Sequence, residues 1–212
     1  MCLLFETIRL ENGTPVNLDY HLKRIEKSLI ELFGCSVPFE LPGEEGSNGV
    51  SPLKISEVLQ SMKIPDGICK CRLIYTMGII DVEVLEYKPT YPQTFMLIEC
   101  NDIEYKHKYF DRADIEELFG KRGKADEIII VKNGLLTDTS IANLVFFDGT
   151  QFITPKQPLL YGTHRARLLK KGMAVEKDIR VEDIKHYESF IPVNAMSEES
   201  LLQMRDITGI LY

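Results

Sequence analysis

The sequence predicts an α+β protein built from two lobes. Helical and strand-like hydrophobic patterns alternate along the chain, and a proline-bearing segment, Lys88–Pro92, separates two strand-rich halves. The length of 212 residues also exceeds the roughly 150 of one typical domain. With 44% hydrophobic and 27% charged residues, the composition is that of a globular chain and excludes intrinsic disorder.

The first lobe is predicted from one hairpin signal and one clear helical period. An opening strand runs into Asn12-Gly13, the dipeptide most typical of a tight hairpin turn. Apolar residues then recur at gaps of three and four, which predicts an amphipathic helix. The elements predicted for this lobe are a strand at Cys2–Leu10, a helix at Leu18–Leu32, a loop at Gly34–Pro52, a helix at Lys54–Lys63, and strands at Ile68–Tyr75 and Ile79–Tyr87.

The second lobe is predicted to be richer in strands. Turn signals at Asn133-Gly134 and Asp148-Gly149 separate its apolar runs, and Thr163 is predicted to cap a helix whose basic residues lie toward its C-terminal end. The predicted domains are 1–88 and 95–212, joined by a linker at 89–94. The elements predicted for this lobe are strands at Phe95–Cys100, Glu127–Lys132, Ile141–Phe147 and Gln151–Thr154, and helices at Asp114–Phe119 and Thr163–Lys171.

Charge and hydropathy narrow the classes of partner. The chain carries 25 basic and 32 acidic side chains, and its formal net charge of −7 repels the phosphates of nucleic acid. Apolar runs such as Ile128–Val131 are too short to cross a bilayer, and no basic flank leads into a signal-like apolar segment. We therefore expect a cytoplasmic protein with neither a nucleic-acid nor a membrane partner.

The cysteines and histidines predict no metal site. Five cysteines cannot all pair, and Cys69 and Cys71 have neither the spacing nor the second pair of a zinc site, so reduced thiols are expected. His107, His164 and His186 are scattered without metal-ligand spacing, and no serine stands in a Gly-x-Ser-x-Gly elbow. These absences argue against metalloenzymes and against hydrolases of that type.

Two basic segments are candidates for chemistry. His21 and Arg24 are three residues apart on the first predicted helix, so they are neighbours in space, although a helical arginine alone is explained equally well by solvation. The stretch Lys106–Arg112 mixes cations with aromatic residues, as a solvated loop would. Alternatively, one lysine is desolvated and attacks a carbonyl as a Schiff-base nucleophile, and these residues alone do not choose between Lys106 and Lys108.

Two further segments combine polar residues with turns. Leu136–Leu144 is explained by turn chemistry, or it delivers Asp138 to a protonated ring nitrogen with Asn143 holding the carboxylate in place. Gly162 precedes the predicted helix at Thr163, an arrangement whose free N–H groups bind phosphate. A single glycine is a weak signal for such a site.

Taken in chain order, these segments resemble the class IV (fold type IV) pyridoxal-phosphate enzymes, which include branched-chain and D-amino acid aminotransferases and 4-amino-4-deoxychorismate lyase. Leu4–Arg9 is similar to the family's first strand, His21–Ser28 to its His-x-x-Arg-x-x-x-Ser helix, and Lys108–Arg112 to its lysine segment. The resemblance implies a smaller N-terminal α/β sandwich and a larger, strand-rich C-terminal pseudo-barrel with helices.

The resemblance also implies a cofactor, pyridoxal 5'-phosphate. It implies that Lys108, rather than Lys106, forms the Schiff base. It also implies that Arg24 binds the phosphate of the cofactor. Asp138 stands where the family's glutamate contacts the pyridine nitrogen, and this aspartate is one methylene shorter. The cofactor-binding residues implied by the resemblance are Arg24, Lys108, Asp138, Ile141, Ala142, Asn143, Gly162, Thr163 and His164, with Lys108 as the catalytic residue.

The segment Phe190–Met196 is similar to the family's substrate-side loop, which implies substrate contacts at Asn194, Ala195 and Met196. Asn-Ala at this place is closer to the lyase subgroup than the Thr-Ala of branched-chain aminotransferases. The resemblance therefore implies a lyase of folate biosynthesis that forms 4-aminobenzoate and pyruvate. An amino acid aminotransferase of class IV is the alternative, and a binding protein that retains the fold is a third reading, which the lysine argues against. Family members are usually homodimers, so a homodimer with a small-molecule amine substrate is expected.

Overall fold

The computed structural model describes residues 2–34, 59, 61–197 and 204–212, and it shows a mixed α and β protein, as the sequence predicts. The chain divides into two compact units. The first contains Met1–Lys88 together with His107–Phe110, and the second contains Pro89–Lys106 and Asp111–Tyr212. In the part of the chain that the structure describes, no helix is long and apolar enough to span a membrane.

The first unit is a small antiparallel sheet with a helix against one face. Within the described residues the sheet has four strands in the order β2-β1-β3-β4. The elements are β1 (Leu4–Glu11), β2 (Thr14–Pro15), α1 (Leu18–Phe33), β3 (Ile68–Tyr75) and β4 (Ile79–Glu86). The predicted opening strand, helix and final two strands are confirmed.

Local sequence explains these elements. Asn12 and Gly13 have φ angles of 47° and 80°, the paired left-handed conformation that closes the β1–β2 hairpin. Gly34 ends α1 in the same conformation, with its N–H donating to the carbonyl of Ile30. The predicted loop Gly34–Pro52 and helix Lys54–Lys63 lie almost entirely outside the described residues; of this helix Leu59 is buried, and residues 61–63 are not helical.

The sheet of the first unit has two different faces. Leu4, Ile8 and Leu10 alternate along β1 and pack with Ile25 and Leu29 of α1 in one apolar cluster. Since successive strand side chains point to opposite faces, the side chains at positions 5, 7 and 9 belong to the face away from α1. The same alternation on β3 assigns positions 70, 72 and 74 to that second face.

The second unit is a larger mixed sheet. Its described strands number nine, with a path of β10-β9-β8-β7-β6-β5-β13 and with β11 branching from β8 to pair with β12. The elements are β5 (Phe95–Glu99), α2 (Ala113–Gly120), β6 (Glu127–Lys132), β7 (Leu135–Thr139), β8 (Asn143–Phe147), β9 (Phe152–Pro155), α3 (Thr163–Lys170), β10 (Val175–Lys177), β11 (Ser189–Val193), β12 (Arg205–Asp206) and β13 (Ile210–Leu211).

Three details of this unit differ from the sequence prediction. Leu135–Thr139 is a strand, although its polar residues had suggested a turn, because buried hydroxyls such as that of Thr137 donate to backbone carbonyls. The strand predicted to begin at Ile141 begins at Asn143, since residues 140–142 make the turn between β7 and β8. Gly162 occupies the N-cap of α3 in place of Thr163, which is the first helical residue.

The division of the chain also differs from the predicted one. Segment 89–94 belongs to the second unit, where the carboxylate of Asp126 accepts hydrogen bonds from the backbone N–H groups of Gln93 and Thr94. Residues 107–110 leave the second unit and join the first, and hydrogen bonds to β1 and its flank hold them there. No turn signal or change of composition marks either end of segment 107–110 in the sequence.

The structure describes four of the five cysteines. Cys2, Cys69, Cys71 and Cys100 are all free thiols, and burial raises the pKa of Cys71 to about 11. Within the described ranges no three His, Cys, Asp or Glu side chains come together in a group that could hold a metal ion.

Candidate active site

The segment His107–Phe110 lies beside β1 as a short antiparallel neighbour. The N–H of Phe5 donates to the carbonyl of Lys108 at 3.0 Å, and the N–H of Phe110 donates to the carbonyl of Leu3 at 2.9 Å. A bridge between residues 4 and 109 lies between these two bonds. The backbone around Lys108 is therefore fixed by β1, even though the chain before His107 and after Phe110 belongs to the second unit.

Strand alternation places Lys108 and its neighbours on opposite faces. His107 and Tyr109 turn toward α1, where His107 contacts Ser28 and Tyr109 packs against the apolar cluster. Lys108 turns to the other face, and its Nζ lies 4.5 Å from the centre of the Phe5 ring. The amine is thus presented on the face of the sheet that α1 does not cover.

His107 anchors this segment to α1. Its ring is buried, with Nδ1 at 3.1 Å from the Ser28 hydroxyl and Nε2 at 3.4 Å from a carboxylate oxygen of Glu31. The sequence did not predict this contact of His107. The available signal was a histidine next to the candidate lysine, paired with a serine on the inner face of an amphipathic helix.

We expect His107→Leu to loosen the lysine segment. Losing the hydrogen bonds to α1 lowers the free energy of local opening by about 1–2 kcal/mol. The amides of Phe5 and Phe110 are therefore expected to exchange with solvent about 5- to 30-fold faster. Hydrogen exchange measured by NMR checks this, with His186→Leu as the control because His186 is exposed. Unchanged exchange at both amides would show that His107 does not hold the segment.

A buried ionic cluster lies between β1 and α1. Glu6 is fully buried; Arg24 donates from Nε to its Oε1 at 2.9 Å and from Nη2 to its Oε2, and His21 donates from Nδ1 to Oε2 at 2.7 Å. Burial raises the pKa of Glu6, but the charge of Arg24 and the bonds from Arg24 and His21 outweigh it and lower the pKa to about 2. Glu6 is therefore an anion at neutral pH.

This cluster changes the interpretation of Arg24 and His21. Arg24 is not a solvated arginine, since its side chain is only 12% exposed and its nearest anion is Glu6. Burial lowers the pKa of His21 despite the neighbouring carboxylate, so the ring is neutral. Sequence reasoning missed Glu6, although a single carboxylate inside the apolar strand Leu4–Leu10 was a usable signal.

In the second unit, three predicted site residues meet around one carboxylate. Asp138 is buried, and its Oδ1 accepts from Asn143 Nδ2 at 2.7 Å while its Oδ2 accepts from the N–H of Leu160 at 2.8 Å. Asn143 Nδ2 also donates to the Leu160 carbonyl at 2.8 Å. A Cβ at Gly162 would stand 1.9 Å from Asn143 Oδ1, so only glycine permits this approach. Burial raises the pKa of Asp138 to about 7 against the opposing effect of its hydrogen bonds.

Helix α3 begins just after Leu160, whose N–H binds this carboxylate. Gly162 is its N-cap and no side chain caps it, and the N–H groups of a first helical turn have no partner within the helix. Thr163 and His164 are buried in that turn. Such a terminus favours an anion through its N–H groups and its dipole.

The ring of His164 is already engaged by the chain. Nδ1 donates to the carbonyl of Asn194 at 2.9 Å, and Nε2 accepts from Arg167 Nη2 at 3.1 Å. The backbone N–H of His164, rather than its ring, is therefore the group suited to the phosphate contact that the resemblance implies. The ring instead joins the start of α3 to the loop after β11.

That loop contains the predicted substrate residues. Oδ1 of Asn194 accepts from the N–H of Met196 at 2.9 Å, which folds the loop back on itself, and Nδ2 of Asn194 donates to the carbonyl of Ile141 at 3.3 Å. Ala142, beside Ile141, is buried in the turn between β7 and β8. The structure thus brings together the predicted residues of the second unit, whereas Arg24 and Lys108 belong to the first unit.

A second buried carboxylate supports the turn between β7 and β8, and sequence reasoning missed it. Glu127 Oε2 accepts from the hydroxyl of Ser140 at 2.9 Å, and Arg112 Nη2 donates to the Ser140 carbonyl. Burial raises the pKa of Glu127. These contacts fix the turn that carries Ile141 and Ala142.

The fold and these residues define a class of enzyme. The chain belongs to the amino-transferase class IV family, whose model matches residues 3–46 and 90–200. Enzymes of this family depend on pyridoxal phosphate, and the family predicted from the sequence is confirmed. The residues present fit that cofactor, since they include a lysine amine for its aldehyde, a helix N-terminus for its phosphate and a buried carboxylate for its ring nitrogen.

Two relatives share enough sequence to be informative. An uncharacterized protein of Haemophilus influenzae is 37% identical over 198 residues, which cover 92% of this chain and 97% of the relative. A crystal structure from Haemophilus somnus 129pt, called a "putative 4-amino-4-deoxychorismate lyase", is 32% identical with a TM-score of 0.77 and covers 92% of this chain and 97% of that one. A structure from Mesorhizobium loti, called a "putative amino-acid aminotransferase", has a TM-score of 0.72 at 22% identity, with 92% and 96% covered, and shows the fold alone.

Proposed function

We propose that this enzyme is a pyridoxal-phosphate-dependent lyase that converts 4-amino-4-deoxychorismate into 4-aminobenzoate and pyruvate. The observation that carries the proposal of an amine-reacting enzyme is Lys108, held by β1 with its amine on the face away from α1. Asn194-Ala195 and the similarity to the Haemophilus somnus protein favour the lyase. Family membership by itself is equally compatible with the alternative, an amino acid aminotransferase.

Each residue has a distinct task in this proposal. When bound, pyridoxal phosphate supplies an aldehyde that combines with amines and a ring that accepts electrons when a proton leaves the adjoining carbon. Lys108 Nζ would hold the aldehyde, and its free amine would accept the proton from the amine-bearing carbon of the substrate. Arg24 and the first N–H groups of α3 would contact the phosphate, and the Asp138 carboxylate would keep the ring nitrogen protonated. Asn194, Ala195 and Met196 contact the substrate.

The decisive experiment is a parallel substrate screen on cofactor-loaded protein. We expect release of 4-aminobenzoate from 4-amino-4-deoxychorismate with no requirement for a keto acid. In the second arm, branched-chain and D-amino acids are offered with 2-keto acids and amino-group transfer is measured. Transfer without 4-aminobenzoate release would replace the lyase by the aminotransferase, and cofactor binding without either product would leave only a binding protein.

Arg24→Ala tests the phosphate assignment. We expect pyridoxal phosphate to bind about 1.5–3 kcal/mol more weakly, the range for a charge-assisted hydrogen bond to a buried anion, and activity to recover at high cofactor concentration. Fluorescence or absorbance titration of the cofactor measures the change. Lys23→Ala is the matched control, because Lys23 is an exposed cation on the same helix. Equal affinity in Arg24→Ala and wild type would remove Arg24 from the phosphate site.

Asp138→Asn tests the ring-nitrogen assignment. We expect near-normal cofactor affinity but a much slower chemical step, since asparagine cannot keep the nitrogen protonated. Because folding raises the pKa of Asp138 from 3.8 to about 7, the wild type loses stability relative to the variant as pH rises through that interval. Turnover and urea unfolding at several pH values measure both effects, with exposed Asp178→Asn as the control. Normal turnover in Asp138→Asn would exclude the assignment.

A further inference from the structure

The ring of His164 lies between helix α3 and the loop that follows β11. His164 is buried in the first turn of α3, and Arg167 is three residues further on, one turn along the same face of the helix. On its other side the ring reaches residue 194, the first residue after β11. One nitrogen of the ring therefore faces a side chain of the helix, and the other faces the loop.

The two neighbours of the ring dictate where its proton lies. Nδ1 is 2.9 Å from the carbonyl oxygen of Asn194, which can only accept a hydrogen bond, so Nδ1 carries a proton. Nε2 is 3.1 Å from Nη2 of Arg167, which can only donate, so Nε2 presents its lone pair. Both contacts are satisfied together by one form of the side chain, the neutral imidazole with its proton on Nδ1.

The loop that this ring contacts is closed on itself. Asn194 donates from its backbone N–H to the hydroxyl of Ser197 at 2.7 Å, and its Oδ1 accepts from the N–H of Met196 at 2.9 Å. The loop is joined to other elements by the bond from His164 and by a longer bond of 3.3 Å from Asn194 Nδ2 to the carbonyl of Ile141. A loop with such internal bonds is positioned as one piece, so the bond from His164 positions all of it.

We propose that Arg167 is a positioning residue for the substrate. By donating to Nε2 it keeps the His164 ring neutral and directed at the Asn194 carbonyl, and so it holds the substrate loop, residues 194–197, against the start of α3. His164 then has two tasks, since its backbone N–H belongs to the turn assigned to the phosphate while its ring holds the loop. The link to the substrate rests on the proposed function, whereas the locked ring depends only on the contacts of His164.

The first test reads the ring directly and needs no turnover. We would label the full-length protein with isotope-labelled histidine, record the ring nitrogens by NMR at neutral pH, and assign His164 by the loss of its signals in His164→Gln. We expect a protonated Nδ1 and an unprotonated Nε2 in the wild type. Exchange of the Nδ1 proton with water requires a second proton to bind first at Nε2, and the bond from Arg167 opposes that step.

Three variants separate this role of Arg167 from a general effect of charge. We expect the Nδ1 proton to exchange about 10- to 100-fold faster in Arg167→Met, the range for loss of a hydrogen bond from a charged donor. Arg167→Lys keeps a group that can only donate, so its exchange should be slower than in Arg167→Met. Lys171→Met removes an exposed cation at the end of α3 and should match the wild type.

Kinetics on cofactor-loaded protein supply the second readout. We expect Arg167→Met to raise KM for the amine substrate about 3- to 10-fold with little change in kcat, because the loop contributes to binding in ground state and transition state alike. Its affinity for pyridoxal phosphate should be unchanged, since the backbone N–H of residue 164 remains in the helix. Arg167→Lys should restore part of the lost KM.

Four results would overturn the proposal. They are a proton on Nε2 in the wild type, equally slow exchange in folded Arg167→Met, equally fast exchange in Lys171→Met, and an unchanged KM in Arg167→Met. The last would show that Arg167 orders the ring without serving the substrate. Absence of both products in the substrate screen would instead count against the proposed function and would leave the measurement on the ring valid.

Discussion

Lys108→Ala is expected to abolish turnover and the covalent trapping of the cofactor. Purified wild type loaded with pyridoxal phosphate should be yellow, and borohydride should fix the cofactor to Lys108, because an imine between them is a reducible chromophore. Peptide mapping by mass spectrometry locates the adduct, and circular dichroism checks that the variant is folded. The fold should persist, since the backbone of residue 108, and not its side chain, makes the bond to β1.

Lys106→Ala is the matched control for this experiment. Lys106 is exposed and lies two residues from Lys108 in the same basic stretch, so its loss changes the local charge equally. The control should retain both the colour and the adduct. An adduct on Lys106 in the wild type would refute the assignment of the catalytic lysine.

Glu6→Gln is expected to lower the free energy of unfolding by about 3 kcal/mol at neutral pH. The change leaves Arg24 buried without its anion, and glutamine retains only one acceptor oxygen, which sets the loss at the lower end of the range for breaking a buried ion pair. Urea unfolding measures it. Glu11→Gln, at the exposed end of the same strand, should cost less than about 0.5 kcal/mol.

The difference in free energy of unfolding between wild type and Glu6→Gln is expected to shrink as the pH falls. Folding lowers the pKa of Glu6 from 4.5 to about 2, so the wild type keeps its advantage over Glu6→Gln above pH 4.5 and loses it as the pH falls toward 2. Unfolding curves at several pH values across this interval check the trend. A difference that stayed constant down to pH 2 would show that the Glu6 carboxylate does not contribute through its charge.

Sequence patterns predicted the elements whose residues follow a clear period or form a short apolar run. Helix α1 and strands β3, β4 and β6 appear at nearly the predicted limits, because α1 has a helical period, β4 alternates polar with apolar residues and β6 is an apolar run. Strand β7 was missed because its buried side chains are polar and are satisfied by backbone groups, which a hydrophobic pattern does not reveal. The short strands β10 and β13 depend on pairing with distant partners and have no local signal.

Site residues that belong to short sequence motifs could be predicted. Contacts between residues that are distant in the sequence could not. Asp138, Asn143 and Gly162 were singled out by sequence, and the structure places them in contact. Glu6 was not, because a lone charge in a strand gains its role from the partners that folding brings to it. Arg24 was predicted, but its pairing with Glu6 was not.

Residues 107–110 also cover the outer edge of strand β1. They cover the outer side of β1 around Leu4 and Phe5, where unpaired N–H and C=O groups beside apolar side chains would otherwise accept a strand from another molecule. Among the described residues up to Lys88, none pairs with the outer side of β1 at this point, so the edge is covered only by a segment that is synthesised later. A fragment that ends at Lys88 would carry an open apolar edge, and we expect it to aggregate where the whole chain does not.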